Sequence, residues 1–243
     1  MKKSGSEIEK VGDSIATKNA GWTFGGNVAD SFDDHVSKSV PFYKEGHELV
    51  CMLSDYFLVN GSTVYDIGTS TGSLLEKLVE RNKLKDIKFF GLDSEENMIK
   101  KAAERFSEFQ NVFLDAIDVN NYDMETCDLV ISYYTVQFIH PKYRQELINK
   151  IYKSLNWGGA FIIFEKTRGS DARFQDIFTT LYADYKLQQG YSPSEIIGKT
   201  RSLKGVLEPF STQGNLDMLR RAGFKDIITV MKYLGFEGFL CIK

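Results

Sequence analysis

Apolar positions in this chain switch between two periods. Residues 63–67 and 87–92 form short, mainly apolar runs, the first β-branched, the second rich in aromatic and aliphatic groups. Residues 73–79 and 96–106 carry apolar side chains at helical spacing. The alternation continues with strands expected at 112–114, 129–133 and 161–164 and helices at 142–155 and 171–189. A polar segment with another short helix follows, and 227–230 and 236–242 read as an antiparallel pair around Gly235. Asn156-Trp157-Gly158-Gly159 reads as a turn, and His140 before Pro141 as a helix start. Strands alternating with helices predict parallel β-α-β units in an α/β doubly wound sheet, with ligands at the carboxyl ends of the strands.

Ahead of the first strand, 27–37 and 42–57 show helical patterns separated by Val40-Pro41. The chain therefore divides into a polar tail over 1–20, a helical cap over 21–60, and a ligand-binding domain over 61–243 interrupted by a helical insertion at about 168–212.

The first strand runs into VYDIGTSTG, where Gly68 and Gly72 permit a tight turn before a helix and bare backbone faces a ligand. Asp93 closes the next apolar run, where an acid meets a ribose diol across the switch point of such a sheet. A dinucleotide enzyme shares this logic but uses G-x-G-x-x-G, so that pyrophosphate can approach the helix. Here the spacing is G-x-x-x-G, with Ser70 in the middle and Asp66 two residues before the first glycine. A carboxylate there repels pyrophosphate and suits the ammonium of an amino acid. S-adenosylmethionine fits better than a dinucleotide, although Asp66 also reads as a helix-capping acid and Asp115 as a turn cap.

With 243 residues the chain buries one sizeable core, and a formal net charge of −3 without a dense Lys/Arg block favours small molecules over direct contact with nucleic acid. Cys51, Cys127 and Cys241 lack metal or disulfide spacing and read as reduced thiols; no metal site is expected. Neither a signal-like apolar stretch nor a run of about 18 apolar residues occurs, so a cytoplasmic location without membrane attachment is expected.

The segments DIGTSTG, GLD, LDAID and LNWGGAFIIFEK, in this order, resemble class I S-adenosylmethionine-dependent methyltransferases, which implies a Rossmann-like mixed seven-stranded sheet over roughly 60–243. A narrower resemblance runs through WTFGGNVADSFDDHVSKSVPFY, YTVQFI, INKIYKSLNWGGAFIIFEK, DYKLQQGYSPSEI, TRSL and RRAGF. These segments are similar to the carboxy-S-adenosylmethionine synthases, whose product serves a tRNA-modifying enzyme. The resemblance implies S-adenosylmethionine or carboxy-S-adenosylmethionine in the site, prephenate as carboxyl donor, and a homodimer. It places Tyr43, Gly68, Thr69 and Ser70 near the cofactor's amino-acid end, with Asp66 and Gly72 in the same turn. Asp93 and Ser94 would take the ribose, Asp115 and Ala116 the adenine, and Gln137 the neighbourhood of the sulfonium. Arg201 would pair with the added carboxylate as a planar fork, and it and Tyr43 are the expected catalytic side chains. This chain departs from the family pattern twice. Tyr133 stands where the family has asparagine, and a straight count from GYS puts Thr200, not its neighbour Arg201, at the arginine's position.

In the reaction the resemblance implies, prephenate loses carbon dioxide and hydroxide, the methyl group yields its proton, and the resulting sulfur ylide captures the carbon dioxide. A dry pocket with a cation for the new carboxylate is sufficient. An ordinary methyltransferase acting on a small molecule, or a non-catalytic cofactor-binding subunit, would carry the same turn.

Overall fold

The computed structural model describes residues 9–10, 16–17, 19–25 and 28–243. Most of the expected tail, and Asn27 at the expected start of the first helix, lie outside the described residues. Within the tail, β1 (Glu9–Lys10) and β2 (Ala16–Thr17) form a two-stranded antiparallel sheet. Two cap helices follow, α1 (Val28–Ser39) and α2 (Tyr43–Ser54).

The main domain alternates β3 (Thr63–Ile67), α3 (Ser73–Arg81), β4 (Lys88–Asp93), α4 (Glu96–Arg105), β5 (Val112–Ala116), β6 (Cys127–Tyr133), α5 (Pro141–Ser154) and β7 (Leu155–Lys166). The insertion supplies α6 (Ala172–Gln188) and α7 (Pro193–Ser202); α8 (Thr212–Ala222), β8 (Asp226–Tyr233) and β9 (Phe236–Ile242) complete the fold. The seven strands are ordered β5-β4-β3-β6-β7-β9-β8, and β9 runs antiparallel to both neighbours. This is the mixed seven-stranded sheet expected above.

Both faces of the central strands are buried, so successive residues feed two cores. Val64, Leu129, Ile131, Ile162 and Phe164 face α2 and α3, where they pack with Val50, Leu75 and Leu78. Tyr65, Val130, Phe161 and Ile163 face α5 and α8, against Leu147, Ile151, Met218 and Leu219. The parallel strands β4 and β6 lie on opposite sides of β3, and this reversal of strand order leaves a crevice at their carboxyl ends.

Three local expectations change. Asn156–Gly159 lies within β7 as a bulge: partners jump from Cys127↔Leu155 to Leu129↔Ala160, and Gly158 takes φ 79°. In the final hairpin Leu234, not Gly235, takes the left-handed conformation, at φ 50°. The polar segment after α6 holds two helices, α7 and α8, each started by a serine cap.

Candidate active site

A cavity of about 910 Å3 opens at the carboxyl ends of β3, β4, β6 and β7, roofed by α1, α2 and the insertion. This is within the size range of small-molecule sites, about 300–1,000 Å3. Its floor is the turn after β3. Gly68 holds φ 74°, and a Cβ there would lie 2.2 Å from Thr135 Oγ1, so a larger residue would break contact with the loop after β6. Ser70 also adopts a left-handed φ of 51°, and its amide donates to Asp93 Oδ2 at 2.9 Å. The amide of Glu95 donates to Asp93 Oδ1 at 2.9 Å. Two strand ends are thereby tied together, and the Asp93 carboxylate keeps lone pairs for a diol. Burial raises its pKa, against the opposing effect of these amides.

Asp66 is almost fully buried, and among the described residues its hydrogen bond comes from the Thr69 hydroxyl at 2.8 Å. Burial pushes its carboxyl up to about 7; Thr69 opposes the rise and Asp93 adds to it. Such a group gains most from a cationic partner. Unpartnered buried polar atoms on the cavity-lining residues Trp22 (Nε1), His47 (Nε2) and Tyr134 (Oη) also fit a polar occupant. The site therefore matches the demands of an amino-acid end beside Asp66 and a ribose beside Asp93.

Of the expected residues, Tyr43, Asp66, Gly68, Thr69, Ser70, Asp93, Ser94, Tyr133 and Gln137 line this cavity. Gly72, Asp115, Ala116 and Arg201 do not. Gly72 faces α4 instead, where a Cβ would strike Phe106. Asp115 and Ala116 are exposed at the end of an edge strand, and the next residues, Ile117 and Asp118, form the wall. Arg201 is exposed on α7, its carbonyl accepting from the amide of Ala20, while Lys199 and Thr200 reach the cavity. The straight count from GYS thus matches the cavity wall.

Tyr133 closes the end of β6 against the cap. Its hydroxyl donates to the carbonyl of Tyr43 at 2.8 Å, and its ring packs 4.8 Å from His47 and 5.2 Å from Tyr43, centroid to centroid. The ring passes over Gly46, where a Cβ would lie 2.0 Å from the hydroxyl oxygen. Gln137 is internally engaged: its side-chain amide donates to Tyr134 O, and its Oε1 accepts from the Lys166 amide at 2.8 Å. Beneath it, buried Arg144 donates to the carbonyls of Ile139, Glu208 and Gln137 at 2.7, 2.7 and 2.9 Å, which fixes the loop after β6 against the insertion.

Sequence reasoning missed Lys166, Lys186 and Lys199 on the far wall. Lys166 follows the apolar core of β7, and that placement at a strand's carboxyl end was an available signal. Lys186 has no comparable signal, because α6 lies outside the alternating frame.

Residues 65–161 match the model of a methyltransferase domain family. The chain is 37% identical over 223 residues to a carboxy-S-adenosyl-L-methionine synthase of Staphylococcus epidermidis, covering 91% of this chain and 97% of that one. It is 40% identical over 221 residues to one of Campylobacter jejuni, covering 90% and 93%. Among solved structures, an O-methyltransferase family protein from Burkholderia thailandensis superposes with a TM-score of 0.63 at 17% identity, covering 88% of this chain and 59% of that one. This last likeness speaks for the fold alone. By the extent of its sequence identity, the chain belongs to the carboxy-S-adenosyl-L-methionine synthase family, built on the class I methyltransferase fold.

Proposed function

We propose that this S-adenosylmethionine-dependent transferase converts S-adenosylmethionine and prephenate to carboxy-S-adenosylmethionine and phenylpyruvate. The observation that carries the reading is a single cavity that joins the Asp66–Asp93 floor to a wall of lysines. The floor suits a sulfonium nucleoside with an amino-acid tail, and the lysines suit an organic acid beside it.

In this reading Asp93 and Ser94 hold the ribose, Ile117 and Asp118 border the adenine, and Asp66 pairs with the ammonium. Tyr43, Tyr133 and Gln137 bound the space beside the sulfonium. When bound, S-adenosylmethionine supplies an acidified methyl group that takes up the carbon dioxide released from prephenate. The protein's part is to exclude water and to hold the acid in place; the aromatic cap over the floor and the cationic wall support both. Arg201 lies outside this wall, and we assign the carboxylates of the organic acid to its lysines.

The enzyme is also proposed to act in the cytoplasm as a homodimer. Its three cysteines are free and buried, and among the described residues no helix is long and apolar enough to cross a membrane. Phe174, Ile177 and Leu181 form an exposed apolar stripe along α6 that suits a second copy.

Incubation with S-adenosylmethionine and prephenate should yield a cofactor heavier by one carbon dioxide in the mass spectrum, together with phenylpyruvate. Absence of that product, with S-adenosylhomocysteine forming only when an acceptor is supplied, would identify an ordinary methyltransferase instead.

A further inference from the structure

Lys166 and Lys186 enter the cavity from different elements, the end of β7 and the last turns of α6. Both ammonium groups lie over one aromatic ring: Lys166 Nζ is 4.3 Å and Lys186 Nζ 4.4 Å from the Tyr182 centroid. Lys186 is 8% exposed and Lys166 is half-buried. Among the described residues neither ammonium has a carboxylate partner.

Nearby acids serve other groups. Glu165 alternates to the opposite face of β7, toward Arg144 and the amides of Val136 and Gln137. Glu237 accepts from Thr212, Thr229 and Lys232. Two amines withdrawn from solvent, one buried and one half-buried, that share one ring and face no acid among the described residues are a costly arrangement, which an anionic ligand relieves. Burial lowers Lys166 to about 7, helped by Lys186 and Lys204, and lowers Lys186 to about 8, as expected of cations built to meet a ligand's charge.

We propose that Lys166 and Lys186, spaced around Tyr182, form an anion subsite that takes a carboxylate of the second substrate. The subsite rests on the cavity being the S-adenosylmethionine site. It serves equally a carboxyl donor or a methyl acceptor that is an organic acid, so it stands apart from the carboxylation step. The ring of Tyr182 fixes where the charges sit, because its hydroxyl donates to the carbonyl of Ser39 at 2.7 Å and ties α6 to the cap.

The test is calorimetric titration of phenylpyruvate and prephenate into protein saturated with unreactive S-adenosylhomocysteine, and of S-adenosylmethionine and carboxy-S-adenosylmethionine into free protein, using wild type, Lys166→Met, Lys186→Met and Lys186→Arg. Each Met variant should lose about tenfold or more in affinity for both acids, as expected for loss of a charge-assisted contact, while Lys186→Arg stays within a few fold of wild type. S-adenosylmethionine affinity should change by less than about twofold, the coefficient of a contact outside its subsite. Melting temperatures of the Met variants should hold or rise, because an unpaired buried charge is removed; a merely structural lysine would lower them.

Unchanged acid affinity in both Met variants would overturn the proposal. So would losses shared equally with S-adenosylmethionine, failure of wild type to bind either acid, or a loss confined to carboxy-S-adenosylmethionine, which would assign the lysines to the cofactor. Acid binding that depends on the lysines without any carboxylated product would support the subsite and count against the carboxylation reading alone.

Discussion

The hydroxyl of Tyr133 donates to the carbonyl of Tyr43 at 2.8 Å, and this bond runs directly over Gly46. Tyr133 thus fastens the first turn of a cap helix to the end of a central strand. Its acidity is suppressed by burial, which keeps the hydroxyl a donor. Gly46→Ala should destabilise the fold by about 2 kcal/mol through overpacking. Tyr133→Phe removes the nearest atom and should cost about 1 kcal/mol alone through the lost bond. In the double variant the two losses should be less than additive, because Phe leaves room for the new methyl group. Thermal or denaturant unfolding of the four proteins gives the coupling energy; strict additivity would show that the two positions do not share this space.

Cofactor affinity should depend on pH through Asp66. Burial raises its carboxyl to about 7, so in the free protein it is protonated at lower pH, whereas pairing with an ammonium requires the ionised form. S-adenosylmethionine binding should weaken as pH falls below about 7, with a slope approaching about tenfold per pH unit. Asp66→Asn should bind more weakly and lose most of that slope, while Asp93 remains in both proteins. The same variant should be more stable than wild type above about pH 7, since the folding cost of the ionised buried group grows as pH rises from the ordinary carboxylate range to that point. Titration calorimetry and melting curves across pH 5–9 test both signs.

Arg144 spans three carbonyls that, among the described residues, no other side chain reaches, and it faces buried Glu165, whose carboxyl burial pushes up to about 8. Arg144→Met would leave those carbonyls and that acid without their cation. A loss of about 3 kcal/mol is expected, or roughly 6–12 °C in melting temperature. Arg144→Lys should recover only part of it, because a single ammonium cannot reach three diverging acceptors. A melting temperature unchanged in the Met variant would rule out this bracing role.

The apolar stripe of α6 predicts the assembly. Ile177→Glu with Leu181→Glu should shift the chain from dimer to monomer in light scattering, with the circular dichroism of the fold retained. A wild-type monomer, or a dimer that survives both charges, would remove α6 from the interface.

The strands and the floor of the site were legible in the sequence because they are set by local pattern. Residues 63–67, the glycine turn and Asp93 are neighbours through a single β-α-β unit, and their contacts follow from its topology. Exact register was not legible. Arg201 and Thr200 differ by about 100° around a helix, so a shift of one position exchanges a wall residue for an exposed one. The same step at the end of β5 separates exposed Ala116 from cavity-lining Ile117. Lys166, Lys186 and Tyr182 meet only because the insertion folds back over β7, a tertiary contact without local periodicity. The partnership of Gly46 with Tyr133 has the same long-range origin.

That partnership also orders the steps by which such a chain can diverge. Glycine at position 46 leaves room for a tyrosine at position 133, whereas a larger residue at 46 collides with it. With Tyr133 in place, growth at position 46 is costly, so a smaller residue at 133 has to come before a larger one at 46.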